Sequence, residues 1–266
     1  MPDLLDAQGI FAVFGPYAIA LALVLTRITA LVATTPLFAS PLIPPLAKAG
    51  LVAVLTAFVL ISTDPPAPAV GLDVISLTGA IIREGIVGAI MGLSVTVAFG
   101  ALHFCGQLIG IQMGFAIANV VDPVNFEQVG VVAQLLNLLG LLLFLAFDGH
   151  LLILRALFDS YQHVPIGTAR ADIPAVVDTL INQGALLFSL GLRLALPVVA
   201  VVLLVNVGLA AIARTVPQVN IFVIGFLLTI GIGLVVLGLA VPATAHVFED
   251  MIEDAIRTSV RLSRAF

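Results

Sequence analysis

Long stretches of this chain carry no charged side chain, and this feature limits what the chain can fold into. The uncharged stretches are residues 7–26, 28–47, 49–63, 85–121, 128–147, 179–192, 194–213 and 215–248. A helix that crosses a bilayer needs about 20 apolar residues. Several stretches fit that length when isolated charges such as Arg27 and Arg193 are allowed inside a helix. The pattern predicts an all-α, polytopic membrane protein.

The composition supports a membrane protein and excludes several other classes. Hydrophobic residues make up 61% of the chain and charged residues only 9%, whereas soluble domains carry about a quarter charged residues. The net charge of −5 gives no basic surface for nucleic acid. Cys105 is the single cysteine, and the four histidines are scattered without the local spacing of metal ligands. We therefore expect no disulfide within the chain, no metal and no cofactor.

Two of the uncharged stretches are too long for one simple span. Residues 85–121 would form a helix of about 55 Å at 1.5 Å per residue, although the apolar core of a bilayer is about 30 Å thick. Residues 215–248 pose the same problem. Each must break, fold back as a hairpin, or continue beyond the lipid within a protein sheath. Proline-containing segments at 36–45, 64–71, 121–125, 163–167 and 217 predict boundaries between about six apolar helices, some of them broken.

The few charged residues allow further predictions. Arg83 and Glu84 are adjacent, so on a helix they point about 100° apart and do not pair with each other. The arginines at 27, 155, 193 and 214 are either functional groups inside the membrane or helix-end residues that reach the membrane interface. Asp148-Gly149-His150 is interpreted as a helix end and turn. No catalytic triad, zinc-protease motif or phosphate-binding loop is present, so an enzyme is not expected.

The stretch GQLIGIQMGFAIANVVDP, residues 106–123, places Gly106, Gly110 and Gly114 four residues apart. The same spacing of small residues occurs upstream at Gly88, Gly92, Thr96 and Gly100. One interpretation is close packing of helix backbones along a face without side chains. The other is a flexible segment whose adaptable apolar side chains, such as Met113 and Phe115, close around a passing polypeptide. The residue types alone leave both open.

Three stretches together resemble one family: residues 106–123, residues 141–167 (LLLFLAFDGHLLILRALFDSYQHVPIG) and residues 216–234 (VPQVNIFVIGFLLTIGIGL). In this order and spacing the chain resembles the flagellar biosynthesis protein FliR family, export-gate subunits of type III secretion. The stretch VIGFLLTIG from Val223 favours the flagellar branch over the virulence branch. One departure is Asp148, where the family often has Asn before Gly-His.

The resemblance implies an architecture of broken helices and helical hairpins. Residues 1–246 would form a single membrane domain, with a FliP-like portion over about 1–175 and a FliQ-like C-terminal hairpin over about 176–246. One such chain completes a helical ring with FliP-like and FliQ-like subunits, and FlhB-like and FlhA-like export proteins are further expected partners. The tail, residues 247–266, repeats apolar pairs at helical spacing. It is predicted to be an amphipathic helix at the membrane interface or an ordinary solvated terminal helix.

The resemblance also implies a function. The protein would be a subunit of the flagellar type III export gate in the bacterial inner membrane, at the flagellar basal body, and would form part of the channel for unfolded substrates. The alternatives are a virulence-type export gate, a purely structural assembly subunit and a small-solute transporter. The implied channel plug consists of Gly106, Gly110, Gln112, Met113, Gly114, Phe115, Asn119, Asp122 and Pro123. The implied subunit interface contains Gln218, Asn220, Phe222 and Gly225.

Overall fold

The computed structural model describes residues 7–63, 73–115, 130–170, 173–215 and 221–263. Within these ranges the regular secondary structure is helical and there is no strand, so the all-α prediction is confirmed. The helices are α1 (Ala7–Thr34), α2 (Pro36–Ala39), α3 (Pro45–Thr63), α4 (Val74–Met113), α5 (Val131–Ala146), α6 (Gly149–His163), α7 (Ile173–Thr215) and α8 (Ile221–Ser263).

The helices have the lengths and compositions of membrane spans. Five of the described helices are long and apolar enough to cross a bilayer: α1, α3, α4, α7 and α8. The pair α5 and α6 meets at an angle of 64° and forms either a sixth, broken span or a re-entrant loop. The polytopic membrane fold with broken helices predicted from the charge pattern is therefore confirmed.

Prolines lie at the helix boundaries that the sequence predicted. Helix α1 ends at Thr34, and Pro36 begins the short helix α2, since proline is well suited to the first position of a helix. Helix α6 ends at His163, two residues before Pro165. The predicted loop at 64–71, the predicted turn at 121–125 and Pro217 lie outside the described residues.

Most of the described part of each overlong apolar stretch lies in one long helix: residues 85–113 lie in α4 and residues 221–248 lie in α8. Helix α4 has 40 residues and α8 has 43, about twice the number that a bilayer core requires. The first stretch therefore breaks after Met113, and each helix is longer than one crossing of the bilayer core requires. Helix α8 also continues past Pro242 to Ser263, so the described part of the tail is the end of this helix.

The chain forms two compact units, which share the long helices. The first unit comprises Met1–Thr96, Asp148–Ile181 and Glu253–Phe266. Its core contains buried residues of α1 such as Leu23 and Ile28. In this unit the backbones of α1 and α4 lie close together at Gly88, because a methyl group added there would be 2.9 Å from the carbonyl carbon of Arg27. This is the close packing that the upstream row of small residues predicted.

The second unit comprises Val97–Phe147 and Asn182–Ile252. Its core is centred on Phe99, whose ring contacts Phe144 and Phe248 edge to face, with centroids 5.7 Å and 5.4 Å away. Phe144 and Phe248 have no exposed surface. These contacts join α4, α5 and α8, so the C-terminal half of α4 is held on two sides.

The apolar face predicted for the tail is buried in the chain itself. Ala255 and Ser259 are buried, and in the first unit the hydroxyl of Ser259 donates a hydrogen bond to the backbone oxygen of Met91 at 3.2 Å. The side chain of Arg257 is exposed and pairs with Glu253 at 3.1 Å. The end of α8 therefore has one face packed on α4 and one face with solvated charges.

Candidate functional site

The predicted plug segment begins inside α4 and continues beyond its end. Gly106, Gly110, Gln112 and Met113 lie in the last turns of α4. Gly114 and Phe115 follow the helix. Asn119, Asp122 and Pro123 lie outside the described residues. The structure thus describes the base of the predicted plug, which belongs to the second unit.

The regularly spaced glycines of this segment have different structural roles. At Gly106, a methyl group would lie 2.8 Å from the backbone nitrogen of Ala133 in α5 and closer still to its Cα, so only glycine fits. At Gly110, the nearest atom to an added methyl group would be Cβ of Val132 at 3.9 Å, an ordinary contact. Gly106 therefore serves close helix packing, whereas Gly110 is not required by packing in this conformation.

Gly114 ends the helix. Its φ angle is 93°, a left-handed conformation that residues with a Cβ atom rarely adopt. The N–H of Gly114 donates to the oxygen of Ile111 at 3.1 Å, and the N–H of Phe115 donates to the oxygen of Gly110 at 3.0 Å. These two bonds form a Schellman motif, which satisfies the last carbonyl groups of a helix. Gly106 and Gly110 therefore lie within the helix, whereas Gly114 terminates it.

Met113 is anchored in the second unit by both its side chain and its backbone. Its side chain has no exposed surface and lies against Gly233 of α8, where an added methyl group would be 3.2 Å from the sulfur. The hydroxyl of Thr229 donates to the backbone oxygen of Met113 at 3.1 Å. The last residue of α4 is therefore fixed to α8 just before the chain enters the predicted plug.

A polar group that the sequence did not reveal lies beside this base. Nδ1 of His103 is 2.9 Å from Nδ2 of Asn137 in α5, and Nε2 of His103 is 3.5 Å from Nε2 of Gln107. The side chain of Gln107 also lies against Gly130, directly before α5. These side chains join the last part of α4 at Gln107 to the start of α5 at Gly130. Their positions 34 residues apart in sequence gave no local signal.

The predicted subunit interface is described only in part. Gln218 and Asn220 lie outside the described residues, and Phe222 lies in α8 with its side chain outside the description. Gly225 is buried, and a methyl group added there would be 3.3 Å from Cδ1 of Leu209 in α7. Gly225 thus packs against its own chain, and its role between subunits stays a prediction.

The first unit contains a buried ion pair. Arg27 of α1 has no exposed surface, and its Nε atom donates to Oε2 of Glu84 in α4 at 2.6 Å. Its other nitrogens donate to the hydroxyl of Ser160 and the backbone oxygen of Val164. Oε1 of Glu84 accepts a bond from the N–H of Gly167 at 2.9 Å. The network joins α1, α4, α6 and the segment after α6.

The prediction that Arg27 reaches the membrane interface is therefore wrong. Its charge is neutralised inside the protein by Glu84 and covered by the ring of Tyr161, whose centroid lies 4.2 Å from the guanidinium carbon. Glu84 itself was the signal available in the sequence, since it is a carboxylate at the edge of a long apolar stretch. The prediction that Glu84 does not pair with its neighbour Arg83 is consistent with this geometry.

The other three arginines of this prediction, Arg155, Arg193 and Arg214, are exposed. Arg214 lies in the last turn of α7, where the interface interpretation places it. Arg155 lies in the interior of α6, and Arg193 lies near the middle of the 43-residue helix α7. An exposed arginine at the middle of an apolar helix is costly in lipid. The prediction that Arg155 and Arg193 lie at helix ends is therefore wrong.

The turn at Asp148 explains the departure from the family pattern. Asp148 has a φ angle of 55° in the short connection between α5 and α6, as the predicted helix end and turn requires. Asn and Asp are the residues other than glycine that adopt this left-handed conformation most readily. Either residue can therefore form this bend.

Comparison with known proteins identifies the family. The family of bacterial export proteins, family 1, matches residues 18–255. The chain belongs to this family. The flagellar biosynthetic protein FliR of Pectobacterium carotovorum subsp. carotovorum is 37% identical over 85% of the chain and 87% of the relative. FliR of Escherichia coli K12 is 34% identical over the same shares, and FliR of Bacillus subtilis 168 is 31% identical over 81% and 83%.

Membership in the bacterial export family agrees with the apolar helices described above. The chain is a membrane-embedded component of flagellar protein export and biosynthesis, and the resemblance stated from its sequence is confirmed. The matched residues, 18–255, include the base of the predicted plug and both partners of the buried ion pair. They also include α7 and the part of α8 up to Ala255.

Proposed function

We propose that this chain is a subunit of the flagellar type III export gate in the bacterial inner membrane and forms part of the channel for unfolded flagellar substrates. In this proposal it joins FliP-like and FliQ-like subunits in a helical ring, with FlhB-like and FlhA-like proteins as further partners. Family membership supports flagellar export. One structural observation supports a place among other subunits: the exposed apolar surface of α7 and α8.

Helices α7 and α8 expose large apolar side chains along lengths that lipid alone cannot cover. Leu204 of α7 is 69% exposed, and Leu227 and Leu239 of α8 are 73% and 77% exposed. Each helix has 43 residues, although about 20 suffice to cross a bilayer. Apolar surface that extends beyond the lipid must meet other protein, because water would leave it unfavourably hydrated. The exposed Arg193 within α7 also favours protein or water over lipid as its neighbour.

The proposed gating element is the segment from Gly106 to Pro123. Its base is anchored by Met113 against Gly233 and by the Schellman motif at Gly114. In the proposal the residues beyond this anchor close the channel and repack when a substrate passes. Such a two-state change requires a free-energy difference of a few kcal/mol between closed and open packing. In this proposal the buried side chain of Met113 holds the start of the plug against α8 in the described conformation. Phe115 is the first apolar residue after the helix cap.

The assembly is tested by co-purification. The tagged chain is expressed with the neighbouring membrane genes, and the purified material is analysed by native mass spectrometry. We expect one copy of the chain in a ring with FliP-like and FliQ-like subunits. Recovery of the chain alone, or as a homodimer that binds a small solute, would contradict the proposal and favour the transporter alternative.

Gating is tested with variants at Gly110 and Gly114, where bulkier residues are expected to impair secretion. Gly110→Ala is the more informative variant, because its methyl group fits the described conformation. We expect reduced secretion of flagellar proteins, or ion leak across the membrane, at normal protein levels. Gly50→Ala in α3, where no atom lies within 4 Å of an added methyl group, is a control substitution away from the segment. Normal secretion and no leak in both glycine variants would favour a structural subunit without a gating part.

A further inference from the structure

An apolar groove lies between α1 and α3 in the first unit. Its floor is formed by the buried side chains of Val32 and Val52, and its walls by exposed residues including Leu25 and Ala53. The cavity volume is about 540 Å³. The groove opens to the outside of the chain, on helices that are apolar enough to span a membrane.

Lys48 lines one end of this groove, in the first turn of α3. It is the only lysine of the chain. Its Nζ atom donates to the backbone oxygen of Ala39 at 3.1 Å, which positions the ammonium group beside the C-terminal end of α2. Among the described residues, no carboxylate lies within ion-pair distance of Lys48. The ammonium group has three donors, so two can bind an anion.

The lining of the groove favours a hydrocarbon chain with a charged end as its occupant. Along α1 the groove extends from Leu25 to Ala33, which corresponds to about 12 Å at 1.5 Å per residue. The lining is apolar apart from Thr29 and Lys48. An acyl chain is apolar along its length and carries its charge at one end, so its chemistry matches this lining.

We propose that this groove binds an acidic phospholipid. One acyl chain of the lipid lies along Val32 and Val52, and its phosphate binds the ammonium group of Lys48. A lysine at the end of a spanning helix extends toward the headgroup region. Basic residues in grooves between membrane helices bind anionic lipid headgroups. The apolar floor and the lysine at one end of the groove are arranged in the order of an acyl chain and its headgroup. The lipid site requires only that the chain lies in a membrane, so it can fail independently of the export-gate proposal.

Photocrosslinking identifies the occupant in the assembled complex. A photoreactive benzophenone amino acid replaces Ala53, and the complex is reconstituted with equal amounts of phosphatidylglycerol and phosphatidylcholine. We expect lipid adducts by mass spectrometry, enriched about five-fold in phosphatidylglycerol, the ratio that about 1 kcal/mol per basic residue produces. A crosslink to another subunit, visible as a larger protein band, or equal labelling of both lipids would overturn the proposal.

The charge of Lys48 is tested separately. Lys48→Gln is expected to reduce the enrichment to the bulk ratio, and Lys48→Arg is expected to retain it. Arg214→Gln, an exposed basic residue at the end of α7, is the matched control and is expected to leave the enrichment unchanged. Native mass spectrometry of each complex shows whether the subunits remain assembled. Unchanged enrichment in an intact Lys48→Gln complex would contradict the headgroup contact.

Discussion

Nε of Arg27 lies 2.6 Å from Oε2 of Glu84, and neither side chain has any exposed surface. The two residues are 57 positions apart and join α1 to α4. Arg27 also donates hydrogen bonds to the hydroxyl of Ser160 and the backbone oxygen of Val164, and Glu84 accepts one from the N–H of Gly167. A buried pair that is fully hydrogen-bonded tolerates burial, whereas a single buried charge does not. The pair therefore fixes the relative positions of three helices in the first unit.

Removal of one partner of this pair is expected to reduce the stability of the protein strongly. Arg27→Met leaves Glu84 as an unpaired buried carboxylate and should destabilise the protein by about 3–5 kcal/mol. The double variant Arg27→Met/Glu84→Leu should recover a large part of this loss, because it removes both charges. Accumulation and thermal stability of the purified protein measure both effects.

The control for this prediction is the pair Arg257 and Glu253, whose side chains are 68% and 53% exposed. Surface pairs contribute about 0–1 kcal/mol, so Arg257→Gln should have little effect. Equal losses from the buried and the exposed pair would show that the buried network does not hold the first unit together.

Gly88 should not tolerate a side chain. In Gly88→Ala the new methyl group would clash with the backbone of Arg27, which cannot move without displacing α1. Overpacking of this kind costs about 1–3 kcal/mol. Thermal unfolding of the detergent-solubilised protein measures the loss. Gly50→Ala in α3 is the matched control, because no atom lies within 4 Å of its added methyl group, and it should be neutral or stabilising.

Substitution by alanine is expected to affect the stability of the helix differently at Gly110 and at Gly114. Gly114→Ala forces a Cβ atom into a left-handed conformation, at a cost of about 1–2 kcal/mol. Gly110→Ala should be neutral or slightly stabilising, because its methyl group has space and alanine favours the helix. Hydrogen exchange of the last turn of α4 measures both. Equal protection in the two variants would contradict the role of Gly114 as the helix cap.

The first turn of α4 should lose stability in acid, because Asp73 caps it through its carboxylate. The backbone N–H of Ser76 donates to Oδ2 of Asp73 at 3.0 Å, and this bond, followed by the Ser76 hydroxyl, lowers the pKa of the Asp73 carboxyl. Because the pKa is lowered in the folded state, the stabilisation is present above the unfolded pKa of about 3.9. It is lost as the pH falls through the lower, folded pKa.

Hydrogen exchange of the first turn of α4 across the acid range tests this prediction. Protection in the unmodified chain should fall as Asp73 becomes protonated. Asp73→Asn retains a capping oxygen but cannot titrate, so its protection should be independent of pH over the same range. The same acid-dependent loss in Asp73→Asn would assign the effect to another group.

The sequence alone determined the class of fold, because charge and proline act locally. A charged residue is costly in lipid, so the uncharged stretches predicted the membrane spans. Proline restricts the residue before it, so the prolines predicted where α1 and α6 end. The family also followed from contiguous motifs. These features depend only on residues that are close together in the sequence, so the sequence is sufficient to predict them.

The tertiary structure decided what the individual residues of those spans do. Gly106, Gly110 and Gly114 are equivalent in spacing, but only α5 beside Gly106 and the positive φ angle at Gly114 distinguish a packing contact from a cap. Arg27 looked like an interfacial residue because Glu84 is 57 positions away. Partners brought together by folding leave no local pattern, since the free energy of a buried contact depends on which side chains meet across the core. The roles of these residues therefore came only from the three-dimensional arrangement.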